Sequence, residues 1–171
     1  MKKLLILLFS ILISFNSYGK TICIDDDNVQ NRYGLMYLPN QQEPFTGENL
    51  CVYVSTGQYS SKGNILNGLK DGKWTAWNKN GQKEVEINYK DGKQEGKSIM
   101  WYENGRKELE MNYKDGKVDG KLTEWYENGQ KEVENNYKDG KIDGKSTGWY
   151  ENGVIMWESN FKDGDCISGC L

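Results

Sequence analysis

The chain has 171 residues, of which 36% are hydrophobic and 27% charged, with a formal net charge of −3, 20 Gly, 2 Pro and no His. So few apolar residues exclude a large two-layer core, and Gly in such excess over Pro excludes a helical protein. An acidic balance with no basic run and no RNA-binding motif repels phosphate backbones and excludes nucleic acid as a partner.

Residues 1–19 carry Lys2 and Lys3, an apolar run from Leu4 to Ile13, and the small or polar Ser14, Asn16, Ser17 and Gly19. This is the three-part layout of a secretory signal peptide with cleavage before Lys20, and the run is too short for a bilayer span of roughly 20 residues. Losing both lysines with the leader takes the net charge to about −5. Lys20, Thr21 and Ile22 do not form a small-residue box ahead of Cys23. The mature chain is therefore expected to be soluble and exported, in the periplasm, the envelope or the medium, rather than lipid-anchored.

Residues 20–47 read as an N-terminal cap segment. The cluster Asp25, Asp26, Asp27 and Asn28 lacks the alternate ligands, central Gly and closing Glu of a calcium loop, so it reads as a solvated acidic turn and no metal is expected.

A repeat then begins in worn form at 48–71, where Gly57, Gly68 and Gly72 sit 24 residues before Gly81, Gly92 and Gly96. Three regular units follow without a gap: GKWTAWNKNGQKEVEINYKDGKQE (72–95), GKSIMWYENGRKELEMNYKDGKVD (96–119) and GKLTEWYENGQKEVENNYKDGKID (120–143). A fourth, 144–167, exchanges the polar start of its second strand for Val154, Ile155 and Met156 and adds Trp157, apolar weight that suggests covering for the sheet end; 168–171 closes the chain as a C-terminal cap. A fixed period of this length marks units that bury their apolar faces by stacking on neighbours.

Lys107, Glu108, Leu109, Glu110, Met111, Asn112 and Tyr113 alternate strictly, which is a half-buried strand, and the recurring Asn-Gly and Asp-Gly pairs are hairpin turns. The predicted fold is all-β: an elongated, twisted, single antiparallel sheet of tandem 24-residue β-hairpins. Turn type decides which face the tryptophans occupy. Three-residue loops at Glu103-Asn104-Gly105 and Lys90-Asp91-Gly92 pair Tyr102 with Arg106 and Tyr89 with Lys93, and place Ile99 opposite Leu109 with Trp101 on their face. A two-residue Asn-Gly turn puts Trp101 on the polar face instead.

With the longer loops, odd positions make one face. It carries Trp77, Trp101, Trp125 and Trp149 in one row, Val85, Leu109, Val133 and Trp157 in a second, and Tyr89, Tyr113, Tyr137 and Phe161 in a third. The other face carries Glu84/Glu86, Glu108/Glu110 and Glu132/Glu134, with Tyr102, Tyr126 and Tyr150 beside them. Segment 93–102 is two residues longer than its partner 106–113, a surplus expected as a stagger or as a bulge at Gly96.

All four cysteines, Cys23, Cys51, Cys166 and Cys170, lie outside the regular units. An even count in an exported chain reads as disulfides, and of the three connectivities Cys23 with Cys51 and Cys166 with Cys170 is preferred because it staples each end of the sheet. The Cys166 to Cys170 spacing is one residue longer than a redox Cys-x-x-Cys, and zinc lacks histidine ligands. Without His the usual general base is missing, and glutamate pairs that recur in three units fit a solvated face better than a catalytic pair. No enzyme and no cofactor are expected.

Tyr113-Lys-Asp-Gly-Lys-Val-Asp-Gly120, followed by Trp125-Tyr-Glu-Asn-Gly129, resembles the MORN repeat (membrane occupation and recognition nexus) in its bacterial variant form, and Glu43-Pro-Phe-Thr-Gly47 looks like the opening phrase of such proteins. The resemblance spans residues 43–165. It implies an elongated meander of hairpins used for protein, or sometimes membrane, contact; many bacterial members carry the label YwqK-type antitoxin.

The function expected is an exported, non-enzymatic scaffold that binds a protein or envelope component. Its candidate binding residues are Trp77, Trp101, Trp125, Trp149 and Trp157 with Tyr102, Tyr126 and Tyr150. The alternative is an antitoxin or immunity protein that sequesters a toxin. A weaker one is membrane-surface binding through the rows Lys93/Lys97, Lys117/Lys121 and Lys141/Lys145.

Overall fold

Two kinds of turn build each unit. Asp91 and Gly92 both take positive φ, 50° and 78°, the signature of a two-residue type I′ turn whose twist matches that of the flanking strands. Lys90 therefore faces Lys93, and Tyr89 faces Gln94. The three-residue loop expected at Lys90-Asp91-Gly92 is thus corrected to two residues. The Asn-Gly loop does have three residues. Tyr102 N–H donates to the Arg106 carbonyl at 2.9 Å, Gly105 is left-handed at φ 80°, and the Asn104 side chain accepts from the Arg106 amide.

The structure, a computed structural model, describes residues 20–25 and 29–170. The leader lies outside the described residues, as do Asp26, Asp27 and Asn28 of the acidic cluster and the terminal Leu171. Among the described residues there is no helix. The strands are β1 (Lys20–Ile22), β2 (Gln30–Arg32), β3 (Leu35–Tyr37), β4 (Gly47–Val52), β5 (Tyr59–Leu66), β6 (Leu69–Trp77), β7 (Lys83–Lys90), β8 (Lys93–Trp101), β9 (Lys107–Lys114), β10 (Lys117–Trp125), β11 (Lys131–Lys138), β12 (Lys141–Trp149), β13 (Ile155–Lys162) and β14 (Asp165–Ser168). Strands β4 to β14 follow one another across a single sheet of 12 strands; β1 joins parallel to β4, and β2–β3 is a separate hairpin. At about 4.8 Å per strand the sheet runs roughly 50 Å in its hydrogen-bonding direction.

Two irregularities recur in every regular unit. Val118 faces Tyr113 and Leu122 faces Met111, so β10 holds two more residues over this step than β9, which is the surplus placed at Gly96 and its equivalents. Gly96, Gly120 and Gly144 sit in these bulges with φ of 75°, 101° and 108°, a region open to Gly at little cost. A second bulge lies near the Asn-Gly loop: Trp101 faces Lys107, but Met100 faces Leu109, so Glu108 is the extra residue. This single extra residue reverses the side-chain parity. Ile99 lies opposite Glu110, not Leu109.

The aliphatic face has one buried row, Trp74–Ile87–Ser98–Met111–Leu122–Asn135–Ser146–Ser159, read across successive strand pairs. Large and small side chains mix along it, and Ser98, Met111, Leu122, Ser146 and Ser159 are all buried. Flanking rows carry Val85, Leu109, Val133 and Trp157 on one side and Tyr89, Tyr113, Tyr137 and Phe161 on the other, as alternation predicts. At the N-terminal end the cap covers this face: Phe45, Ile65 and Trp74 form the core cluster, packed by Ile22, Ile24, Met36, Leu38 and Tyr89.

Both ends are stapled as the sequence suggests, by Cys23–Cys51 and Cys166–Cys170. At the far end Ser159 Oγ donates to the Gly169 carbonyl at 2.6 Å, drawing the short disulfide loop onto β13. Val154, Ile155 and Met156 do not act as the covering expected of them, for they are 58, 50 and 45% exposed. Ile155 faces Trp149 on the polar face at the start of β13, with Val154 and Met156 on either side of it at the rim.

Candidate interaction surface

The tryptophan row lies on the face opposite the Val/Leu and Tyr rows. Pairing across the sheet gives Trp77–Lys83, Trp101–Lys107 and Trp125–Lys131, while Thr75–Glu86–Ile99–Glu110–Thr123–Glu134–Thr147–Glu158 forms the adjoining row. The shared face expected for Trp101, Leu109 and Tyr113 is therefore corrected. The bulge at Glu108 and the two-residue Asp-Gly turn each separate the indoles from the aliphatic rows. Trp157, facing Gly148 in the aliphatic pattern, stays on the other face.

On the polar face three of the four indoles are met by a lysine from the neighbouring strand: Lys83 lies 5.7 Å from the Trp101 centroid, Lys107 5.7 Å from Trp125 and Lys131 5.6 Å from Trp149, while Trp77 meets the Tyr59 ring at 6.2 Å. An ammonium over an indole is attracted by the ring quadrupole, and its methylene stem covers apolar carbon. This is why a row of tryptophans is stable among charges. Trp77, Trp101, Trp125 and Trp149 are all half-buried.

A glutamate fixes each lysine. Glu110 takes Lys97 at 2.6 Å and Lys107 at 2.5 Å, Glu134 takes Lys121 at 3.0 Å and Lys131 at 2.5 Å, and Glu86 takes Lys73 and Lys83 at 2.8 and 2.9 Å. The hydrogen bond from Lys107, then that from Lys97, holds the Glu110 carboxyl below the usual carboxylate range. At Glu134 the Lys131 bond leads in the same direction, and at Glu86 burial opposes the shift but the two lysines outweigh it. Glu124, on the aliphatic face, goes the other way: burial, with Glu132 and Glu108 nearby, raises it. Single exposed ion pairs contribute little, but a ladder repeated every two strands sets a regular pattern of indole, ammonium and carboxylate.

The lysine rows considered for anionic lipid are partly spent in this ladder. Lys97, Lys121 and Lys145 bond Glu110, Glu134 and Glu158, while Lys93, Lys117 and Lys141 stand exposed beside the aspartates of the turns.

Two rims tie each unit to the next. Along the Asp-Gly rim, Gly116 N–H donates to the Gln94 carbonyl at 2.9 Å and Asp115 N–H to Glu95 at 2.8 Å, with Gly140 and Asp139 repeating the arrangement one unit on. Along the Asn-Gly rim, Tyr102 Oη donates to the Trp125 carbonyl at 2.6 Å and Tyr126 Oη to the Trp149 carbonyl at 2.7 Å. Tyr102 and Tyr126, singled out as partner-binding candidates, are thus rungs between units, while Tyr150 is 51% exposed. Sequence reasoning missed this role. The available signal was a Tyr directly after Trp in three units but not at Asn78.

A chain of stacked hairpins joined by rim hydrogen bonds, with one patterned charged and aromatic face, defines a tandem-repeat scaffold built for contact. Comparison with protein families matches the MORN repeat variant at residues 70–91, 94–115, 118–139 and 142–163, together half of the chain. The chain belongs to the MORN repeat variant family. Each matched segment is one hairpin closed by an Asn-Gly loop, from β6–β7 to β12–β13, and ends at the Asp of an Asp-Gly turn. No curated protein matches the chain.

Proposed function

We propose that this protein is an exported, non-enzymatic scaffold that holds a protein or envelope component on its Trp–Lys face. The observation that carries the reading is the row Trp77–Lys83–Trp101–Lys107–Trp125–Lys131–Trp149, half-buried indoles at a fixed two-strand interval. Tryptophan leads the residues that dominate protein interfaces, and here its partner-facing half is pre-organised by lysine at no further entropic cost. Both disulfides support export, since such bonds persist in oxidising compartments, and they weigh against an antitoxin acting in the cytoplasm.

The test is affinity capture from envelope extract on immobilised residues 20–171, with Trp101→Ala/Trp125→Ala as comparison. The scaffold reading expects a partner held by the native chain to be lost, by about tenfold or more in affinity, from a variant that keeps a cooperative melt. Retention of that partner at full affinity removes the Trp–Lys face from consideration.

A further inference from the structure

The ladder of tyrosine rungs has one gap. Tyr53 Oη donates to the Trp77 carbonyl at 2.7 Å, and Tyr102 and Tyr126 repeat that bond to Trp125 and Trp149. The rung that would reach Trp101 falls at residue 78, which is Asn. The neighbouring tie fails at the same step. Asn104 and Asn128 donate across units to the carbonyls of Glu127 and Glu151, whereas Asn80 turns back to Gln82 at 3.0 Å.

What is left is a notch. A cavity of about 490 Å³ opens between Tyr53 and Tyr102, lined by Asn78, Lys79, Glu84, Trp101, Glu103 and Glu108 as well. Asn78 Oδ1 is buried there with no hydrogen-bond partner, alone in this among the described residues. An unmatched buried acceptor costs about 1–3 kcal/mol, so the site is primed for a donor. Its walls are a phenol on either side along the ladder and an indole beneath. Three carboxylates stand against one ammonium at its mouth.

We propose that this notch binds a tyrosine side chain presented by a basic segment of a partner protein, whose phenol takes the place of the missing rung. The ring inserts between Tyr53 and Tyr102, and its hydroxyl donates to the Trp101 carbonyl or, after rotation of the Asn78 amide, to Oδ1. Basic residues flanking the tyrosine meet Glu84, Glu103 and Glu108. The site lies on the rim and shares Trp101 with the Trp–Lys face, but it is read through Asn78, which that face does not use, so Asn78→Tyr and the tyrosine peptide test the notch while leaving the Trp–Lys row intact.

The experiment titrates residues 20–171 with the peptide acetyl-Arg-Tyr-Arg-amide, its Phe counterpart and free tyramine, following the Trp101 indole and Asn78 amide by NMR. The tyrosine peptide is expected to shift those signals and not Trp149, and to bind at least about fivefold more tightly than the Phe peptide, the worth of one hydrogen bond. Tyramine binding as tightly as the peptide identifies a small phenolic amine as the ligand and overturns the protein-partner assignment. Asn78→Tyr, which supplies the rung from within, is expected to abolish binding and to raise the melting temperature. Equal binding of the Phe peptide, unchanged binding to folded Asn78→Tyr, or no shift at about 10 mM peptide overturns the proposal. Should Asn78→Tyr misfold, the comparison of Tyr with Phe on the native chain decides alone.

Discussion

Trp74→Ala is expected to destabilise the protein by about 3–5 kcal/mol, lowering the melting temperature by roughly 10 °C. Trp74 is 6% exposed, and its ring packs edge-on to Tyr89 with centroids 6.3 Å apart. Lys70 lies 4.4 Å above it, and its indole N–H donates to the Asn64 carbonyl at 3.0 Å. Gly63 is required beneath it, because a Cβ there would stand 2.2 Å from the indole. Removing the ring opens a cavity where a second layer, the N-terminal cap, sits on the sheet. Trp101→Ala, by contrast, removes a half-buried ring from beside a lysine and is expected to cost about 1–2 kcal/mol. Thermal melts followed by circular dichroism compare the two; equal losses would place the core elsewhere.

Replacing both Cys23 and Cys51 with Ser is expected to cost about 3.5 kcal/mol in urea unfolding, because the bond closes a separation of 28 residues. The same change at Cys166 and Cys170, separated by 4, costs about 2 kcal/mol in the same chain-entropy account. The N-terminal bond has a second consequence. It holds β1, only three residues long, on the outer edge of β4, helped by Ile24 N–H donating to Asn49 Oδ1 at 2.9 Å. Without the bond β4 becomes an open edge, and concentration-dependent aggregation is expected of the Cys23/Cys51 variant but not of the Cys166/Cys170 one. Two variants with the same midpoint and the same solubility would contradict this.

Strand positions, turn sites, the two-residue surplus at Gly96 and the end staples were legible in the sequence because each has a local chemical signal: alternation, Asn-Gly and Asp-Gly pairs, isolated Gly, and an even cysteine count. Parity was not. The bulge at Glu108 leaves strict alternation from Lys107 to Tyr113 intact, so nothing in the strand itself announces that its pairing with β8 slips by one. The choice of face rested on indoles seeking aliphatic company, and Lys83, Lys107 and Lys131 provide an alternative that hydrophobicity alone does not weigh. Trp74 escaped notice as a core residue because its equivalents are Ser98, Leu122 and Ser146, a row whose common property is burial rather than residue type. The gap at Asn78 has meaning only because Tyr102 and Tyr126 reach into the next unit, a contact that no local sequence pattern records.

Everything proposed for the charged face depends on which side of the sheet the tryptophans occupy, and nuclear Overhauser contacts from the Trp101 indole protons read that directly. The expected result is contacts to the side-chain methylenes of Lys83 and Lys107. Contacts to the methyl groups of Val85 and Leu109 would return the indoles to the aliphatic face and contradict the Met100–Leu109 register.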